Sequence, residues 1–149
     1  MLRLKVGGGG LDGAALAKAE AALKSLSSNF GEWLQDEITK LEAARAEVKA
    51  NGAAPDRIKA LYLRAHDLKG LGATYEFPLV GRIAASLCKL LDDDVAAQGA
   101  PIMKLVDAHI DTIKAVVRDG VKSESHPVGA ALAGELESQV ARHRPESAA

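Results

Sequence analysis

Apolar residues recur along the chain at steps of three, four and seven, and no stretch alternates in the manner of a strand. Leu16, Ala19, Leu23 and Leu26 mark a first helix over residues 11 to about 26, after which "SSN" supplies a break with capping side chains. A second, longer helix spans residues 30 to about 50 on Leu34, Ile38, Leu41 and Val48, and Asn51-Gly52 stops it as a left-handed C-terminal cap. Pro55 opens a third helix that runs to about Thr74, where "YEFP" interrupts. Pro78 starts a fourth, with Leu79, Ile83, Leu87 and Leu90 inward, ending at "DDD". Pro101 opens a fifth, whose Met103, Val106, Ile110, Ile113 and Val117 keep a three-four step until Gly120. "VKSESHP" reads as a loop, and residues 128 to about 143 form a weaker, alanine-rich sixth helix.

These elements predict an all-α fold: an antiparallel four-helix bundle with additional N- and C-terminal helices. Helices two to five, joined by short loops, make the bundle, and helices one and six pack on its ends or flanks. Residues 1–10, with "GGGG", form a flexible arm; residues 11–120 form the bundle domain, its core at about 30–120; residues 121–149 hold the last helix and a polar tail.

Composition strengthens the helical reading. Of 149 residues, 48% are apolar but only 3% aromatic, which suits helices packed through alanine and leucine. A net charge of −1 provides no overall positive field for nucleic acid or anionic lipid. Cys88 is the only cysteine, so neither a disulfide framework nor a CxxC metal site exists, and a reducing, cytoplasmic setting fits. No run approaches the roughly 18 apolar residues of a membrane span, and "MLRLKV" is short for a signal-peptide core, so a soluble, unexported chain is expected.

The chemistry concentrates in "LRAHDLKGLGATYEFP", residues 63–78. At about 100° per residue, Ile58, Leu61, Ala65, Leu68 and Gly72 fall on one seam of the third helix. His66 points roughly 130° from the centre of that seam, toward solvent. Lys69 and Ala73 lie at the seam's edges, and Gly70 points almost opposite it. A glycine inside a helix costs about 1 kcal/mol relative to alanine, so two in one segment imply a compensating use. Gly70 leaves open space beside the imidazole for another protein's surface, and Gly72 lets a neighbouring helix approach. Above neutral pH an imidazole is mostly uncharged and offers a ring-nitrogen lone pair. With the Lys69 ammonium one turn on, the group suits an anionic substrate such as a phosphoryl.

The run "AHDLKGLGAT", residues 65–74, resembles the histidine-containing phosphotransfer (HPt) domains of multistep phosphorelays, whose pattern is His-x-x-Lys-Gly followed by small residues on the exposed face of a four-helix bundle. The resemblance implies that His66 accepts a phosphoryl from the aspartate of one receiver domain and passes it to the aspartate of another. It implies charge stabilisation by Lys69, close approach over Gly70, and a small residue at Ala73. "YEFP" stands at the turn between the central helices, where the family often has a further glycine and this chain has Glu76. Family members often carry a polar residue on the following helix that reaches the site; Ser86 and Lys89 are candidates. The partners implied are response-regulator receiver domains and a hybrid histidine kinase, with no nucleic acid and no membrane. The chain would need no cofactor of its own, since magnesium sits on the receiver, and would have no ATP-dependent kinase activity.

Lys59, Arg82 and Lys89 are further candidates to fringe the site and meet an acidic receiver pocket. Tyr62 borders the seam and could lie under the histidine. His109, His126 and His143 have no partners at metal-ligand spacing, and Asp92, Asp93 and Asp94 read as a solvated turn. "HDLK" is also similar to the start of the His-[Glu/Asp]-x-[Arg/Lys] box of sensor-kinase phosphoacceptor domains, but Gly70 and Leu71 replace the Thr or Asn and the Pro that follow there. A detached histidine domain of a chemotaxis-type kinase shares His-x-x-Lys-Gly. A non-catalytic helical adaptor is the alternative from another class, in which replacing His66 changes nothing.

Overall fold

Proline and glycine punctuate the chain where helices begin and end. The computed structural model describes residues 12–92 and 100–143, with five helices: α1 Gly13–Asn51, α2 Pro55–Thr74, α3 Pro78–Leu91, α4 Ala100–Arg118 and α5 Pro127–Arg142. The expected N-terminal arm, Asp93 and Asp94 of "DDD", and the polar tail from residue 144 lie outside the described residues. Pro55, Pro78 and Pro127 each occupy a first-turn position, where a missing N–H costs nothing. Among the described residues there is no strand, and no helix is long and apolar enough to cross a membrane.

The first two expected helices are one. α1 runs unbroken for 39 residues, capped by the Asp12 carboxylate accepting from Ala15 N–H at 2.7 Å. "SSN" does not interrupt it, because serine and asparagine cost only a few tenths of a kcal/mol each inside a helix and nothing forces the backbone out. Gly52 does stop it, at φ 98°, although its ψ of 161° is extended rather than the left-handed helical geometry expected. Arg57, from the first turn of α2, reaches back to the exposed carbonyls of Asn51 (2.6 Å) and Gly52 (2.7 Å) and closes the corner.

The second half of α1 packs on α2, α2 on α3, α3 on α4, and α4 touches α1 again. The expected seams supply this core: Leu34, Ile38, Leu41 and Val48; Ile58, Leu61, Ala65 and Leu68; Leu79, Ile83, Leu87 and Leu90; Val106, Ile110 and Ile113 are all buried. Met103 and Val117 are half-buried against them. α5 packs against α3 and α4, where its Ala133, Leu136 and Val140 join the same core. α3 consequently buries ten of its 14 residues, as a helix surrounded by three others must. By contrast Leu16, Leu23 and Leu26, expected to pack on the bundle, are exposed.

One cation lies in the seam of α1. Arg45 follows Leu41 by four and precedes Val48 by three, and it is buried. Burial works against its charge, but the hydrogen bonds it donates to Glu42 and Asp111 outweigh that and raise its pKa. Asp107 adds an ion pair at 3.1 Å and also receives Lys49 at 2.9 Å, so this network ties α1 to α4.

Candidate functional site

α2 turns its apolar seam inward and leaves His66 exposed on the opposite side. The imidazole lies against the ring of Tyr62, one turn earlier, with centroids 6.0 Å apart and planes at 33°. Tyr62 is half-buried against the core, so it both packs and shelves the histidine. Lys69, Gly70 and Ala73 are exposed and follow His66 at three, four and seven residues, which places them around the same surface. A Cβ added at Gly70 would meet nothing within 4 Å, so the space beside the imidazole is open. The Gly70 carbonyl accepts a hydrogen bond from the Thr74 hydroxyl at 3.3 Å. Arg64 and Asp67 flank the histidine as a loose ion pair at 4.0 Å.

The two glycines serve different ends. A Cβ on Gly72 would stand 2.6 Å from the Gly81 nitrogen and 2.9 Å from its Cα, and one on Gly81 would stand 3.1 Å from the Lys69 carbonyl oxygen. α2 and α3 thus cross nearly backbone to backbone, directly behind the exposed face. The α2–α3 turn finishes the platform. Phe77 N–H donates to Gly72 O (2.7 Å) and Glu76 N–H to Ala73 O (3.2 Å), the bond pair of a Schellman cap. Glu76 takes the left-handed position at φ 66°, so the turn keeps a glycine-like shape without glycine, at a cost of roughly 1 kcal/mol.

The structure therefore brings together His66, Tyr62, Lys69, Gly70 and Ala73. Lys59 is exposed two turns before His66 on the same helix. Arg82 is engaged elsewhere: its guanidinium forks onto Glu137 of α5 (2.8 and 2.7 Å) and also donates to Glu124 at 2.7 Å. The Glu137 bond raises the Arg82 pKa, and Arg82 in turn lowers that of Glu137. Lys89 is exposed and also helps to lower the Glu137 pKa, so both α3 cations act toward α5.

Ser86 does not reach the site. It is buried, and its Oγ lies 2.9 Å from Nε2 of His109, whose Nδ1 lies 2.8 Å from the Leu105 carbonyl. Since that carbonyl can only accept, Nδ1 carries the proton and Nε2 accepts from the serine hydroxyl. His109 is fully buried, and burial lowers its pKa. The signal for this pair was in the spacing: His109 continues the series 102, 105, 109, 113, and Ser86 the series 79, 83, 86, 90. A polar residue on each of two facing seams is a reason to expect them to meet.

No protein-family model matches the chain, and no curated protein or solved structure shows significant similarity to it.

Proposed function

We propose that this chain is a phosphorelay carrier of the histidine-containing phosphotransfer type. On this reading the second half of α1 with α2, α3 and α4 is an antiparallel four-helix bundle, and α5 and the first half of α1 are additions to it. The observation that carries the proposal is the exposed imidazole of His66 beside open space at Gly70, on a helix held rigidly from behind by the Gly72–Gly81 crossing. A nucleophile that must meet the active site of another protein needs this arrangement: display on an exposed face, open space beside it, and a fixed backbone.

His66 Nε2 attacks the phosphorus of a receiver's aspartyl phosphate. The N–P bond forms as the O–P bond breaks, the electron pair leaves on the aspartate carboxylate, and the imidazole retains its proton on Nδ1. The receiver supplies its own magnesium, and Lys69 stabilises the charge of the phosphohistidine. Reversal onto a second receiver completes the relay, so the carrier needs no cofactor and makes no phosphoryl of its own.

The test is transfer of labelled phosphoryl from a phosphorylated receiver domain. Wild-type protein should take the label, His66→Gln should take none while staying folded, and Gly70→Leu should take it at least tenfold more slowly. Labelling of His66→Gln at the wild-type rate would refute the assignment of His66, and no label on the folded wild type from any receiver would favour the adaptor reading.

A further inference from the structure

The first half of α1 carries an apolar stripe that the other described helices leave largely uncovered. No described side chain from residue 12 to 26 is buried. Leu16 is 48% exposed, Leu23 67%, Leu26 44% and Trp33 42%, with Ala19 exposed and Phe30 half-buried between them. Residues 16, 19, 23, 26, 30 and 33 step three, four, three, four, three, the a/d repeat of a coiled coil. The stripe begins where α1 leaves the other helices, at a cluster in which Phe30, Trp33 and Tyr75 lie ring to ring at 5.4 to 5.7 Å. A strict a/d seam on an exposed helix calls for another helix as its cover.

We propose that two copies of this chain pair through this stripe as an antiparallel coiled coil. The argument for a second copy is that the stripe complements itself when reversed. A two-fold axis passing between Lys24 and Ser25 sets Leu23 opposite the partner's Leu26, Ala19 opposite the partner's Phe30, and Leu16 opposite the partner's Trp33. The smallest seam residue then faces a phenyl ring, and the two leucines nearest the axis face each other, so each layer combines volumes that fill it. Parallel pairing would instead set Phe30 on Phe30 and Ala19 on Ala19, one layer overfull and one hollow. Lys18 and Lys24 fall outside the seam, so neither places a charge in a core layer. A seam of about 26 Å buries on the order of 1,000 Å² in the pair, the lower end of specific interfaces, so the dimer is reversible and depends on concentration. His66 lies on α2, outside the seam.

Sedimentation velocity of the full chain from about 1 to 200 μM tests this. Wild type should pass from monomer to dimer across that range, and the emission of Trp33, the only tryptophan, should shift to the blue in parallel. Leu23→Glu and Leu26→Lys should each weaken dimerisation at least tenfold. The double variant should recover part of the loss, because only an antiparallel pair sets Glu at 23 against Lys at 26. Both positions stand clear of the core, so unfolding midpoints at low concentration should match wild type and separate lost pairing from lost fold. A wild type still monomeric at about 200 μM would overturn the proposal and assign the stripe to a different protein. Single variants that dimerise as wild type, or a double variant no better than the singles, would also overturn it.

Discussion

Gly70 and Gly72 stand two residues apart on α2 and answer to opposite demands. Gly72→Ala forces a methyl group onto the Gly81 backbone, and urea unfolding should show a loss of about 2 kcal/mol or more. Gly70→Ala meets nothing and should raise stability by about 0.5–1 kcal/mol, the helix-propensity difference. Equal effects at the two positions would contradict the close crossing. Glu76→Gly removes the left-handed strain at φ 66° and should stabilise by up to about 1 kcal/mol, less what glycine gains in the unfolded chain. A destabilised Glu76→Gly would mean that the Glu76 side chain does more than tolerate its turn. At this scale the seam of α2 and the display of His66 were legible, since both follow from the angle between residues on one helix. The conformation of Glu76 was not, because the turn's hydrogen bonds impose it against the residue's own preference.

Among the elements, α1 departs most from expectation. Periodicity located its apolar positions but not their partners: Leu34, Ile38 and Leu41 enter the core, while Leu16, Leu23 and Leu26 continue the pattern into solvent. A spacing rule cannot tell a stripe that packs on the other described helices from one that does not. Hydrogen exchange of the dilute monomer should reflect this division, with amides over residues 16–26 exchanging far faster than those over residues 34–48. Uniform protection along α1 would contradict it. The fork of Arg82 was equally hidden, because its partners lie 42 and 55 residues away and only packing of α5 on α3 brings them near. His66, Lys69, Gly70 and Ala73 were legible for the converse reason, since one helical turn relates them and no tertiary contact is needed to assemble them.

For the molecule as a whole, acid sensitivity follows from His109. Burial lowers its pKa, so the unfolded chain binds that proton more readily than the folded one. Its contribution is therefore intact above the ordinary histidine value of 6.5 and declines as the pH falls below it. The unfolding free energy from urea titration should fall as the pH drops from 6.5 to 5.5, with a slope of at most about 1.4 kcal/mol per pH unit for this one proton, and His109→Gln should flatten this dependence even if it is less stable throughout. Glu137, lowered by Arg82, adds stability that is lost only as the pH falls below its ordinary 4.5, so the two losses begin at different pH. An undiminished drop in His109→Gln would contradict the buried neutral pair with Ser86.

The central claim is that the molecule displays one nucleophilic imidazole to other proteins, and the chemistry of the bond formed there tests it most directly. Wild-type protein loaded from a phosphorylated receiver should carry label that acid releases and alkali does not, the behaviour of a phosphorus–nitrogen bond, and His66→Gln should carry none. Alkali-labile label, label that persists in His66→Gln, or no label on the folded wild type from any receiver would contradict it.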